Sequence, residues 1–254
     1  MQTTEIEKLL FDIEEENRST STNRETIQTI SLTFDVKMGT SDIQKFKKEI
    51  LKLVGMDNDL YHNHRMEKGK IIGNLERYPL IQYRTHDGFA NLWGMNEGAE
   101  VLKKLSRDKK FPLKVTRITE NQSFAPKMLK TGKEELYKLF RYVPFNHENY
   151  EEYRAAPTYL QKIAILERVL NSHLVLFTYA MGWQIPKGEK LKLKLHDITH
   201  IGLARYQPAT IRETHYFTAI DCSFYLNARF PDQAGIGKFK GLGYGILKRW
   251  EEIN

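Results

Sequence analysis

Apolar and polar residues alternate through Ile30-Ser31-Leu32-Thr33-Phe34-Asp35-Val36, the pattern of a half-buried strand over residues 29–38. Ser41 then offers a helix cap, and Ile43, Phe46, Ile50, Leu51 and Val54 fall at helical spacing before Gly55, which predicts an amphipathic helix with one buried stripe. Strands are expected over 78–84 and 91–95, joined by a turn at His86-Asp87-Gly88. A second helix over 97–105 and a strand over 113–118 complete the order strand, helix, strand, strand, helix, strand, which is the split βαβ arrangement of a ferredoxin-like domain. After Ala125-Pro126 a related order begins again. It has a strand over 136–143, a long helix over 159–179 with Leu160, Ile163, Leu166, Leu170, Leu174 and Phe177 turned inward, and strands over 191–195, 216–226 and 243–250. No second short helix is evident there, so this half reads as an incomplete copy. The expected class is α+β, with tandem ferredoxin-like domains over residues 28–125 and 126–254.

The first 27 residues differ from the rest. Ile6, Leu9, Leu10 and Ile13 sit at helical spacing among acids, and residues 18–25 read as a polar linker. This acidic N-terminal extension, residues 1–27, carries a net charge of −4, so the chain's +7 leaves +11 on the remainder. A body so cationic suits a polyanionic partner. No apolar run is long enough to span a bilayer, and the start lacks the basic and apolar regions of a secretory signal. The single cysteine, Cys222, can form neither an internal disulfide nor a cysteine zinc site, so a cytoplasmic location is expected.

Three stretches carry candidate chemistry. In Tyr61-His62-Asn63-His64-Arg65, an extended backbone would turn residues two apart to one face, bringing both imidazoles to the same phosphate. Histidine suits proton transfer near neutral pH, and Arg65 with Lys68 and Lys70 could steady negative charge. The same spacing also fits half of a metal site completed by His86 or Asp87, or a plain exposed turn. The run from Gly235 to Gly245 holds Gly235, Gly237, Gly241 and Gly243 around Lys238 and Lys240, with Phe239 and Tyr244 as stacking faces. By composition it is a cradle for a phosphate backbone, although a structural loop would look alike. It matches neither a dinucleotide fingerprint nor a P-loop. Finally, Lys190, Lys192 and Lys194 alternate with Leu191, Leu193 and Leu195, so a strand there would present a basic row opposite a buried one; an ordinary solvated sheet face has the same pattern.

Joint order makes these motifs more specific than any one alone. Residues 60–64, then Arg77-Tyr78-Pro79-Leu80-Ile81-Gln82-Tyr83-Arg84 and Gly94-Met95-Asn96-Glu97-Gly98-Ala99-Glu100, resemble the amino-terminal half of CRISPR-associated repeat endoribonucleases, the Cas-six family in its b-type branch. Asn227-Ala228-Arg229-Phe230-Pro231 leading into the glycine-rich run resembles that family's carboxy-terminal signature, and Tyr179-Ala180-Met181-Gly182-Trp183 also fits. The resemblance spans about residues 28–250 and leaves the acidic extension outside the pattern. It implies the tandem RAMP/RRM-like fold and cleavage within each repeat of a CRISPR transcript, leaving a 2′,3′-cyclic phosphate and a 5′-hydroxyl. It further implies that His62 and His64 are the catalytic pair, that the reaction needs neither metal nor cofactor, and that the glycine-rich loop binds RNA through Lys238 and Lys240. The partner expected is CRISPR repeat RNA, as precursor and as mature guide. Other CRISPR effector subunits and a second copy of the chain are further expected partners, and a catalytically inactive RNA-holding subunit is the alternative.

Overall fold

The computed structural model describes residues 24–67, 70–75, 77–206 and 214–250. The helix expected in the acidic extension, and Lys68, lie outside the described residues. The amino-terminal module runs β1 (Ile27–Lys37), α1 (Ile43–Val54), a small hairpin of β2 (His64–Glu67) and β3 (Lys70–Asn74), then β4 (Ile81–His86), β5 (Phe89–Met95), α2 (Glu97–Arg107) and β6 (Val115–Phe124). Its sheet has the order β4-β5-β1-β6, antiparallel throughout. That is the ferredoxin-like order, with the first strand central.

Alternation in β1 explains one face. Ile30, Leu32 and Phe34 pack against Ile43, Phe46 and Ile50 of α1 and Leu102 of α2. Ser31 and Thr33 point the other way, yet that face is not solvent: both accept hydrogen bonds from Asn91 Nδ2, at 2.9 and 3.0 Å. The fully buried Arg84 joins them through Nε to Asn91 Oδ1 at 3.1 Å and lies over the Trp93 ring. Its guanidinium also donates to the Gln233 carbonyl of the second module. Burial lowers its pKa from the usual arginine value to about 9.

A short bridge, β7 (Lys127–Met128), pairs with β11 (Ala228–Arg229). The carboxy-terminal module then runs β8 (Glu135–Tyr142), α3 (His147–Ala155), α4 (Tyr159–Met181), β9 (Leu193–Tyr206), β10 (His215–Leu226) and β12 (Ile246–Arg249). Its sheet order, β12-β8-β10-β9, repeats that of the first module, with a glycine-rich loop standing where the second helix would be. Thr158 and Gln161 form a capping box at the start of α4, and Gly182 closes its end in the left-handed region. Leu166, Leu170, Leu174 and Phe177 enter the core, but Leu160 does not: it lies in the first turn, before the helix meets the sheet, and is 78% exposed.

The modules share a core. Ile27, Trp93 and Met95 of the first pack with Tyr137, Phe224 and Phe230 of the second. Asn96, in the left-handed region between β5 and α2, donates from Nδ2 to the Met181 carbonyl at 3.2 Å, tying the end of α4 to the first sheet.

Candidate nucleic-acid interface and histidine pair

The histidines sit in a turn between α1 and β2. Asn58 caps a 3₁₀ turn by accepting from the Leu60 amide at 3.1 Å, and the buried Tyr83 hydroxyl donates to the Tyr61 carbonyl at 2.8 Å. Asn63 then takes a left-handed conformation, φ 57°, which asparagine tolerates better than most residues. The segment is therefore not extended as the spacing suggested. The bend nevertheless keeps the imidazoles together, with ring centroids 5.6 Å apart and planes 15° from parallel.

Asn63 also fastens the turn to the chain after β3. Its Nδ2 donates to the carbonyls of Leu75 and Arg77 at 3.1 and 3.2 Å, and its Oδ1 accepts from Arg77 Nε at 2.9 Å. Arg77 is further paired with Asp59 at 2.8 Å. His62 is 1% exposed; its Nδ1 accepts from the His64 amide and its Nε2 donates to the Met56 carbonyl, each at 3.0 Å. His64 opens β2 and is half-buried, and Arg65 beside it is exposed.

From Arg77 the surface leads into a cavity of about 460 Å³ between residues 77–80, α4 and the glycine-rich loop. His173, Leu176 and Ala180 of α4 line it together with Ile236, Gly237 and Lys240 of the loop. His173 Nδ1 is 2.7 Å from the Tyr142 hydroxyl. Burial holds that phenol well above its ordinary value, so it is the donor. Burial, with the positive charges of Lys240 and Lys238, lowers the His173 imidazole to about 3. Lys240 lies over the Tyr78 ring, its Nζ donates to the Gly237 carbonyl at 3.2 Å, and burial lowers its pKa. Burial also lowers that of Lys238.

Much of the glycine-rich loop serves packing. The Gly235 amide donates to Gln82 Oε1 at 3.0 Å, the Lys238 amide to Val143, and the Gly245 amide to Arg141, so these groups are turned inward. A Cβ on Gly237 would stand 2.5 Å from the Tyr142 ring, and one on Gly243 2.8 Å from Ile43 Cδ1. Gly241 is half-buried against Pro79. Phe239 stacks on Tyr206 at 4.6 Å and meets Phe217, so its faces are covered by protein. The backbone cradle expected from composition is thereby narrowed, because close approach to the first module and to Tyr142 accounts for several of the glycines.

Lys190, Lys192 and Lys194 are exposed and alternate with Leu191, Leu193 and Leu195 as expected, although β9 begins only at Leu193. Only Lys194 lies on that edge strand of the second sheet, Lys190 and Lys192 precede it, and none of the three lines the cavity. His86 and Asp87 pair with each other and with Arg117 at the β4–β5 turn. Among the described residues, no three His, Cys, Asp or Glu side chains gather as a metal-ligand set. From the sequence, Asn63 and Arg77 carry no role of their own and His173 reads as a packing or surface residue. An asparagine between two histidines was the one available signal, as a residue suited to a left-handed bend.

Two ferredoxin-like modules in tandem, the second with a glycine-rich loop in place of a helix, define a protein of the RAMP type. The Cas6b N-terminal domain matches residues 25–133 and the Cas6b C-terminal domain residues 130–250. The chain belongs to the Cas6b family. Among solved structures, a Cas6b crystal structure is similar with TM-score 0.70 and 19% identity, covering 88% of this chain and 99% of that one. Another, of a CRISPR RNA processing endoribonuclease Cas6b, gives 0.58 and 18%, with the same coverage. Csf5, a type IV Cas6 crRNA endonuclease, gives 0.56 and 12%, covering 89% of this chain and 100% of that one. No curated protein matches the chain by sequence. No helix among the described residues is long and apolar enough to cross a membrane.

Proposed function

We propose that this chain binds CRISPR repeat RNA and cuts it without a metal ion, with His62 and His64 transferring the protons. Membership of the Cas6b family supports repeat-RNA processing as the task, and the similar structures include two whose names describe RNA-processing endonucleases. The observation that carries the mechanism is the pair of near-parallel imidazoles, 5.6 Å apart, locked by Asn63 to an arginine at the mouth of a cation-bearing cavity.

One imidazole takes the proton from the ribose 2′-hydroxyl, and the freed oxygen attacks the adjacent phosphorus. The other protonates the departing 5′-oxygen, giving a 2′,3′-cyclic phosphate and a 5′-hydroxyl. His64, the less buried of the two, meets the phosphodiester first. His62 joins it by exchanging its bond to the Met56 carbonyl for one to RNA. Arg77 and Lys240 supply positive charge as the phosphorane forms, and Lys238, Gly241, Arg65 and the Lys190, Lys192, Lys194 row extend the contact with the RNA backbone. Gly235, Gly237 and Gly243 act by letting the loop sit close enough to do so. The cytoplasm, where transcripts are processed, is the proposed location.

Labelled repeat RNA incubated with the protein in EDTA is expected to be cut at one site, and His62→Ala/His64→Ala to abolish cutting while retaining binding. Cutting that requires a divalent ion overturns the mechanism. A second reading, an RNA-holding subunit without activity, draws on the fact that both ring nitrogens of His62 are already hydrogen-bonded; it predicts tight binding with no cut product at any enzyme excess. Association with a second copy or with other CRISPR effector subunits is also proposed. A monomeric mass by light scattering, with and without RNA, overturns the homodimer.

A further inference from the structure

The cavity beside Arg77 has more features than a surface for tracking phosphates needs. Its volume of about 460 Å³ is that of a small-ligand site. Leu80, Leu176 and Ile236 give it apolar walls, and two cations, Arg77 and Lys240, line it as well. His173 adds a neutral polar group, while the hydroxyl of Tyr78, also in the lining, is engaged with the Gly235 carbonyl and Gln82 Nε2. Tyr142 is fully buried, so Nδ1, which accepts its hydroxyl, is the inward nitrogen of that ring. The ring proton is therefore on Nε2, on the cavity side. Gly237 makes the arrangement compact, because any side chain there would strike the Tyr142 ring that holds His173. A free phosphate would want several donors in place of the apolar walls, and a purely aliphatic ligand would leave the Nε2–H unpaired. A planar heterocycle with an acceptor on its edge and a phosphate on its sugar satisfies all three features.

We propose that this cavity is a nucleobase pocket, receiving one unpaired base of the bound RNA near the cut, with the His173 Nε2–H donated to an acceptor on the base edge and Arg77 and Lys240 on the adjoining phosphates. The inference rests on the RNA-binding reading given above and adds to it a position at which the RNA must be unstacked. Arg77 couples the two sites, since the same side chain that lines the pocket is bonded to Asn63 between the histidines.

Repeat RNAs carrying a single abasic nucleotide, moved one position at a time across the cut, test this by fluorescence anisotropy in excess EDTA. The abasic change at one position is expected to weaken binding to the unaltered protein by about tenfold, the scale of a lost base contact. His173→Phe is expected to weaken binding of intact RNA by a similar factor and to have no further effect on that abasic RNA, whereas His173→Gln, which keeps a donor near the Nε2 position, retains most of the affinity. If His173→Phe fails to fold, as judged by circular dichroism, Ala180→Leu fills the same cavity from α4 without touching the His173–Tyr142 bond and carries the same expectation. If the unaltered protein binds and cuts repeat RNA but no abasic position is coupled to either substitution, the pocket is refuted while the nuclease reading stands. If the protein neither binds nor cuts repeat RNA, both fall.

Discussion

Gly245 is the position where the glycine-rich loop leaves least room, and replacing it tests whether that loop is built for packing. A Cβ there would lie 1.8 Å from the Ile236 carbonyl oxygen and 2.9 Å from its carbon, and φ is 64°. Backbone atoms cannot rotate away as a side-chain tip can, so residues 236 and 245 must separate. Separation lengthens the Ile236 amide bond to the Gly245 carbonyl, now 2.8 Å, and disturbs the Leu247 amide bond to Ala234, also 2.8 Å. The left-handed conformation costs alanine about 1 kcal/mol. Losing one or two buried hydrogen bonds at about 1 kcal/mol each, with a further ~1–2 kcal/mol of displaced packing, brings Gly245→Ala to about 3–5 kcal/mol. Gly132 is the control, since its φ is 78° but nothing lies within 4 Å of an added Cβ, so Gly132→Ala has only the conformational term of about 1 kcal/mol. Urea unfolding of the two variants beside the parent isolates the contact, because the backbone penalty cancels between them. Equal losses, within about 0.5 kcal/mol, would refute the claim that close approach is why glycine stands at 245.

Three further expectations concern the turn, the cavity and the core. Asn63→Ala removes both the left-handed preference and the bonds to Leu75 and Arg77, so single-turnover cleavage should slow by about 10²-fold while RNA affinity changes little; a parallel loss of both would mean that Asn63 only supports folding. His173, lowered to about 3, binds a proton in the unfolded chain below the ordinary histidine value of 6.5 but not in the folded one until far lower pH. Its contribution is therefore fully present above pH 6.5 and lost as pH falls toward 3, with a slope of about 1.4 kcal/mol per pH unit within that window, and the stability difference between parent and His173→Phe should narrow on acidification. Cys222 is buried and its thiol pushed up to about 12, so thiol reagents should fail to label the native protein and label it fully in denaturant; rapid native labelling would contradict the placement of β10.

The order of elements was legible because each carries one dominant period. The α1 stripe and the alternation of β1 are the clearest cases, and both match the structure. The local cap was read one step out: Ser41 lies inside a 3₁₀ turn, and Asp42 Oδ2 accepts from the Gly39 amide instead. The β2–β3 hairpin escaped because its residues alternate little and contribute nothing to either main core. Helix α3 escaped for a similar reason, having no buried residue. The alternation of β1 suggested a solvated face, whereas Ser31 and Thr33 meet the buried Asn91 there, and Gln82 and Arg84 of β4 are bonded to the second module, a contact between residues about 150 apart in sequence. The histidine pair was visible as residue types. Its geometry was not, since the bend at Asn63 and the anchorage by Arg77 depend on chain brought back from beyond β3.

The proton-transfer mechanism makes the 2′-oxygen of one nucleotide the attacking atom, so the most direct test alters that atom alone. Repeat RNA with a single 2′-deoxy substitution immediately 5′ of the cut is expected to bind the protein with unchanged affinity and remain intact under conditions where all-ribose RNA is cleaved to a 2′,3′-cyclic phosphate. Cleavage of the deoxy-substituted RNA at the same bond would contradict the account, because water and not the 2′-hydroxyl would then be the nucleophile.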